Sequence, residues 1–348
     1  MPFINGVLAE NQEKNEIGKS LAAEPRMTRF LFDPEAIKER LKGRIIGQPQ
    51  MYGAVGDMLD VVKADFGRDG RPLAVLLFLG STGVGKTETV RALAESILGS
   101  KDKLCRIDMN TLAQEHYAAA ITGAPPGYVG SKENHTLFDF EKVAGSYGRP
   151  GMVLFDEIEK ASQSVARALL NVLDAGVLEL SAGTKEVNFE NSMIFMTSNE
   201  GARELESYRR KFESGWRKWL GRLPAERREK EILQEALRRK FDPEFLNRID
   251  KVVFFEELGD GWIGDLLDVE LKELGLRLAR HGVTIEVDSA AREFLNAGYD
   301  KRYGARDLAR RVRAHLEPPL ARAMLADAGA KTFSVGVAGS EIVIRNSV

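Results

Sequence analysis

Cysteine is nearly missing from this sequence: Cys105 is the one example in 348 residues. A lone thiol cannot close an intrachain disulfide, so a buried structural cysteine within a strand is its expected role. Histidine is almost as scarce, and the four copies are scattered without the spacing a zinc site requires. An excess of charge of one sign is also lacking. Fifty basic residues face 52 acidic ones for a net charge of -2, which offers no general field for holding a polyanion. Long apolar runs are absent: the longest, Leu73 to Leu79, is far too short to cross a bilayer. The opening MPFINGVLAENQEKNEIGKS carries acidic and amide residues where a signal peptide has an apolar core. These absences lead to the expectation of a soluble, cytoplasmic protein with no membrane contact and no nucleic acid as its main partner.

What remains is ordinary globular composition, 43% hydrophobic and 29% charged, in a chain long enough for two cores. No internal repeat or low-complexity tract is present. Residues 1–32 are polar and weakly patterned and read as an N-terminal tail. Asp33 then fits a helix N-cap, with Pro34 at the first helical position and Ile37 and Leu41 on one face. From 33 to 255 apolar runs alternate with helical patterns, which predicts an α/β unit with a parallel sheet flanked by helices. Its expected strands are Leu73–Leu79, Leu104–Asp108, Met152–Phe155, Met193–Thr197 and Val252–Phe255. Within it, residues 202–240 mix both charge signs densely and read as a solvated helical insertion. From 256 to 348 the pattern predicts a smaller mixed α/β domain: helix to about Arg280, a strand at Val283–Val287, more helix, and the pair Phe333–Val337 and Glu341–Arg345 around Gly339.

Three strand ends carry the chemistry. The first is GSTGVGKT, formed by Gly80, Ser81, Thr82, Gly83, Val84, Gly85, Lys86 and Thr87, between an apolar strand and an amphipathic helix. Glycines let backbone amides close around phosphate, and the helix N-terminus adds a favourable dipole. Lys86 would reach the β- and γ-phosphates of ATP and Thr87 would ligate Mg²⁺, with Glu88 counted in the nucleotide-binding set. The second is MVLFDE, where Asp156 would hold Mg²⁺ through water and Glu157 would orient the attacking water. The third is MIFMTSN, whose Asn199 would position the same water, although Ser-Asn after a strand is by itself an ordinary turn signal.

With GAPPGYVG, FLNRID and YGARDL following in order, the sequence resembles the Clp-type AAA+ unfoldases, specifically the second ring module of ClpB-like disaggregases. The resemblance runs from about residue 33 to 348. It implies a P-loop AAA+ sheet followed by a lid domain, ATP and Mg²⁺ as ligands, and self-association into a ring, a hexamer. It implies that Arg248 is an arginine finger reaching a neighbouring subunit's γ-phosphate and that Arg306 couples the small domain to nucleotide. On bare sequence, Arg306 could equally pair with Asp307 or Glu317. Ile45 and Ile46 resemble the stretch that packs on adenine. Gly123–Gly130 has two prolines, three glycines and an aromatic-aliphatic tip, Tyr128 and Val129. In the family that loop lines the pore and grips unfolded polypeptide, a task an aromatic performs without sequence readout.

The sequence also departs from the family pattern. SKENHTLFDF stands where an acidic, Gly-Gly stretch is usual, and VLELSAGTKEVNF replaces an arginine-bearing turn. No amino-terminal substrate domain or first ring module is expected before residue 33. No Ile-Gly-Phe or Ile-Gly-Leu tripeptide occurs, so a barrel protease partner is not expected. The resulting expectation is an ATPase forming ADP and phosphate while remodelling or unfolding a protein substrate. The alternative, a motor or loader on a nucleic-acid complex, is disfavoured by the charge balance and by an aromatic rather than basic pore loop.

Overall fold

Asp33 starts α1 (Pro34–Lys42): its carboxylate accepts from the backbone N–H of Glu35, Pro34 takes the first turn, and Ile37 and Leu41 are buried. The computed structural model describes residues 28–113, 137–179, 186–213 and 225–346. Tyr128 and Val129 lie outside the described residues. After α1 come α2 (Pro49–Lys63), β1 (Ala74–Leu79), α3 (Lys86–Leu98), β2 (Cys105–Asp108), α4 (Phe140–Ala144), β3 (Gly151–Asp156) and α5 (Gln163–Ala175). A short hairpin, β4 (Val177–Glu179) with β5 (Glu186–Asn188), precedes β6 (Ser192–Ser198). Then follow α6 (Ala202–Glu213), α7 (Glu226–Lys240), α8 (Pro243–Leu246) and β7 (Lys251–Phe254).

The main sheet has the order β2-β3-β6-β1-β7, and every neighbouring pair is parallel. Its central strands β1, β3 and β6 are buried along their whole length, because helices cover both faces. Alternation along each strand sorts side chains between two cores. Val75, Leu77, Val153, Phe155, Ile194 and Met196 enter one; Leu76, Phe78, Leu154, Met193 and Phe195 enter the other. With all strands pointing the same way, Gly80, Glu157 and Asn199 emerge together at the carboxyl edge. Within the charged 202–240 stretch, the described helices α6 and α7 are anchored as well as solvated, since Leu205, Leu233 and Leu237 are buried in the first core.

The rest of the chain builds α9 (Ile263–Ala279), β8 (Thr284–Val287), α10 (Ser289–Asn296), α11 (Ala305–Arg311), a π-helical turn over Val312–Leu316, α12 (Glu317–Ala326), β9 (Thr332–Ala338) and β10 (Glu341–Asn346). Here β8 and β9 pair parallel and β9 and β10 antiparallel. A third core gathers Leu267, Leu274, Leu308, Leu316 and Phe333. Both expected sheets are present, each expected strand ending within one residue of its observed bounds. Among the described residues, no helix is long and apolar enough to cross a membrane.

Candidate nucleotide site

The loop after β1 turns on glycines with positive φ, and at Gly80 and Gly83 a side chain would also collide with backbone. Gly83 has φ +78°, and a Cβ there would lie 2.1 Å from the carbonyl oxygen of Tyr303 in the small domain. That close approach lets the backbone N–H of Ala305 donate to the Gly83 carbonyl at 3.1 Å, seating α11 directly on the loop. Gly85, at φ +104°, is the N-cap of α3 and leaves its amide end open. A cavity of about 460 Å³ opens here, lined by Thr82, Gly83, Gly85, Lys86, Thr87 and Glu88 on the loop side. Asp156, Glu157, Thr197 and Asn199 come from the ends of β3 and β6, and Glu270, Glu273 and Arg306 from the small domain.

Lys86 is 7% exposed, and its ammonium donates to Asn199 Oδ1 at 2.8 Å and to the carbonyls of Gly80 and Ser81 at 2.6 Å. All three partners are neutral. Burial therefore brings Lys86 down to about 8, against the pull of Glu159, Asp156 and Glu157, while the charge of Arg306 lowers it further. A buried ammonium hydrogen-bonded only to neutral oxygens, at a helix N-terminus, calls for an anion, and phosphate fits.

Asp156 is the opposite case. Its Oδ1 accepts from Thr87 Oγ1 at 3.1 Å and from the hydroxyl of Thr197. Its Oδ2 accepts from Arg106 Nη2 at 2.6 Å and Nε at 3.0 Å. Burial works to raise its pKa, but these hydrogen bonds and the Arg106 charge prevail and hold it below the usual carboxylate range. Hard oxygens from Thr87 and Asp156 in contact are a donor set that suits Mg²⁺.

Glu157 follows with a left-handed backbone, φ +58°, uncommon for a residue with a side chain. Its N–H donates to Thr197 Oγ1 at 3.0 Å, and its carboxylate takes Asn110 Nδ2 at 2.6 Å. The backbone N–H of Asn199 is fixed by Glu159 Oε1 at 3.1 Å.

Other expected residues fall in different places. Ser81 donates to Glu257 at 2.6 Å. Glu88 lines the cavity, but its carboxylate is paired with Arg44 at 2.7 Å. Arg44 also grips Glu95 at 2.6 Å and Glu273 of α9 at 3.2 Å, joining α3 to the small domain. Ile45 is buried in the large domain and Ile46 packs against the small-domain core, so the pair forms the seam between them. Neither is among the residues lining the cavity. The next residue, Gln48, is buried and donates to the carbonyls of Val84 and Glu256 at 3.3 and 2.9 Å. Arg306 lines the cavity, while Asp307 takes Arg310 and Glu317 takes Arg277. Arg248 does not line its own chain's cavity; its Nε lies 3.0 Å from Asp174. Cys105 is buried in the first core, where burial pushes its thiol up.

Sequence reasoning missed Arg106, Asn110, Glu159 and Thr197. Thr197 lies inside MIFMTSN, and Arg106 is a lone charge between the core residues Cys105 and Ile107, the one signal that could have marked it.

Residues 71–252 match the family model described as AAA domain (Cdc48 subfamily), and residues 258–336 that of the C-terminal D2-small domain of ClpB protein. The chain is 44% identical, over 93% of its length and 93% of the relative's, to an ATP-dependent protease ATP-binding subunit-like protein AmiB of Pseudomonas aeruginosa. It is 37% identical over 83% of its length to Chaperone protein ClpB of Bdellovibrio bacteriovorus, of which it spans 32%. The extended conformation of the S. cerevisiae Hsp104:casein complex aligns with a TM-score of 0.76 at 28% identity, covering 90% of this chain and 52% of that one.

Proposed function

This chain belongs to the AAA+ family of ClpB-like ATPases, and we propose that it couples hydrolysis of ATP to the remodelling or unfolding of other proteins. Subunits would assemble head to tail into a closed ring, a hexamer. The observation that carries this reading is the convergence of Lys86, Thr87, Asp156, Glu157 and Asn199 from three strand ends, with Arg306 from the small domain, on one cavity.

Lys86 exchanges its neutral partners for the β- and γ-phosphates, where its charge is stabilised instead of penalised. Glu157, placed through Asn110 and Thr197, orients the water that attacks the γ-phosphorus; the bond to the β–γ bridging oxygen breaks, leaving ADP and phosphate. Thr87 and Asp156, the latter through water, would hold Mg²⁺, which supplies positive charge to the phosphate oxygens. Arg248 supports a shared site, because its half-buried guanidinium lies off its own chain's cavity, where Asp174 holds it, and would have to exchange that carboxylate for a neighbour's γ-phosphate. Arg306 reports occupancy to the small domain through the α11 contact on Gly83. Tyr128 and Val129 would grip the polypeptide, and the casein in the related Hsp104 complex supports an unfolded protein as the substrate class.

ATPase turnover with and without unfolded casein tests this. Turnover should rise with casein in the wild type and lose that response in Tyr128→Ala. Glu157→Gln should bind ATP while losing at least about a hundredfold in kcat, the usual contribution of a general base. Turnover indifferent both to casein and to Tyr128 would overturn polypeptide gripping. Full turnover in Glu157→Gln would overturn the assignment of the site.

A further inference from the structure

The end of Asp156 that should be available to a metal is already occupied by a cation. Both donors on one edge of the Arg106 fork, Nε and Nη2, converge on Oδ2 at 3.0 and 2.6 Å. Thr87 and Thr197 together occupy Oδ1. Asp156 is thus a saturated, 8%-exposed carboxylate whose charge is neutralised inside the protein. Arg106 differs from a structural partner in one respect: its own side chain is 42% exposed and lines the nucleotide cavity. It sits on β2, an edge strand of the sheet, paired in parallel with β3 so that Arg106 lies opposite Leu154 and Asp108 opposite Asp156. A side chain in that position can leave the carboxylate for the open cavity without disturbing any core.

We propose that Arg106 is a displaceable counter-ion that keeps Asp156 closed to free divalent cations and yields it when the cation arrives with a triphosphate, whose charge the released guanidinium then takes. The proposal rests on reading this cavity as the Mg-ATP site. A bare divalent ion must trade a two-pronged charge-assisted hydrogen bond for a water-mediated contact, and it must leave a guanidinium uncompensated in a cavity that Lys86 and Arg306 also line. A triphosphate removes that penalty by giving the fork a second anion of matching geometry. The device makes metal binding conditional on nucleotide, so the ring does not carry metal in empty subunits.

Mn²⁺ is the probe, titrated into the full-length protein and read as loss of the free-ion electron paramagnetic resonance signal, first without nucleotide and then with a non-hydrolysable ATP analogue. Arg106→Gln should bind Mn²⁺ alone about ten- to a hundredfold more tightly than wild type, the value of one charged hydrogen-bond pair. It should bind the Mn²⁺–analogue complex more weakly. This crossover separates the proposal from a structural role, because damage to the fold lowers both affinities. Arg106→Lys, which keeps the charge without the fork, should fall between the two for Mn²⁺ alone. Unchanged or weaker Mn²⁺ binding in both variants would overturn the proposal. Asp156→Asn identifies which reading has failed. If it abolishes nucleotide-dependent Mn²⁺ binding while the Arg106 variants behave as wild type, the site stands and the counter-ion role falls. If it binds the complex normally, the site assignment itself is wrong.

Discussion

The two sheets of this chain meet different burial demands, and the chemistry follows the difference. In the large sheet β1, β3 and β6 are covered on both faces, and no residue along them is exposed. A polar side chain has nowhere to go except a strand end, and parallel pairing brings those ends to one edge. In the small mixed sheet β9 alternates, with Phe333 and Val335 buried and Thr332 and Ser334 half exposed. Its polar groups are spread over a face, and the cavity takes no lining residue from it. The small domain contributes instead through helices, α9 and α11. A doubly covered sheet concentrates its reactive groups at an edge, whereas a half-covered sheet leaves the chemistry to the helices that cap that edge.

The largest expected effect tests the burial half of this contrast. Phe195 in β6 is fully buried and packs against Phe78 with ring centroids 5.8 Å apart. Phe195→Ala should cost about 3–5 kcal/mol in urea unfolding through lost contacts and a cavity that rigid neighbours cannot fill. Ile344→Ala, at a partly buried position of β10, should cost about 1 kcal/mol. Equal losses at the two positions would remove the distinction between the sheets.

How much of this was legible in the sequence depends on whether a feature is local. The central strands of the large sheet appear as apolar runs, and Asp156 and Asn199 announce themselves at their ends, while Lys86 follows one through a glycine-rich loop. Arg106 and Asn110 are invisible by the same logic. They act through the neighbouring strand, and only the β2–β3 register brings Arg106 to Asp156 and Asn110 to Glu157. Glu159 is one more charge in a charged turn until its carboxylate is found on the Asn199 amide. In the described parts of the 202–240 stretch, the buried residues, Leu205, Leu233, Ala236 and Leu237, are few among many charges, so the anchoring is hard to see in the sequence. Ion pairs such as Arg209 to Glu229, 2.6 Å, and to Glu257, 2.5 Å, take up charge that the sequence suggests is free in solvent.

A middle-sized effect is expected where the two regions meet. At Gly83 a methyl group would press on the Tyr303 carbonyl, and the positive φ adds backbone strain of about 1–3 kcal/mol. Gly83→Ala should therefore weaken the seat of α11 on the phosphate loop more than it weakens either core. Amide hydrogen exchange should rise across Gly304–Arg311 while β1, β3 and β6 stay protected. Exchange rising uniformly would mean that the junction is part of one cooperative unit with the large sheet.

The smallest effect concerns Glu270, which the small domain places in the cavity wall. Burial foremost, and then the like charges of Glu273 and Glu88, raise this carboxyl above its usual 4.5, with Arg313 and Arg277 opposing. The folded protein thus holds the proton more tightly than the unfolded chain does. Glu270 adds nothing to pH dependence while both states are protonated. Stability is then lost as pH rises from about 4.5 through the raised value. Glu270→Gln should be indistinguishable from wild type near pH 4, and at pH 7.5 more stable by less than about 1 kcal/mol, because solvent on the open side screens part of the penalty. Thermal melts at both pH values would show a gap that opens with pH. A gap that stays constant would mean the glutamine acts through packing, and the acidic wall would then be an ordinary solvated face of α9. A gap that opens would show the half-covered domain tolerating a carboxylate that the doubly covered sheet admits only at its edge, beside Arg106.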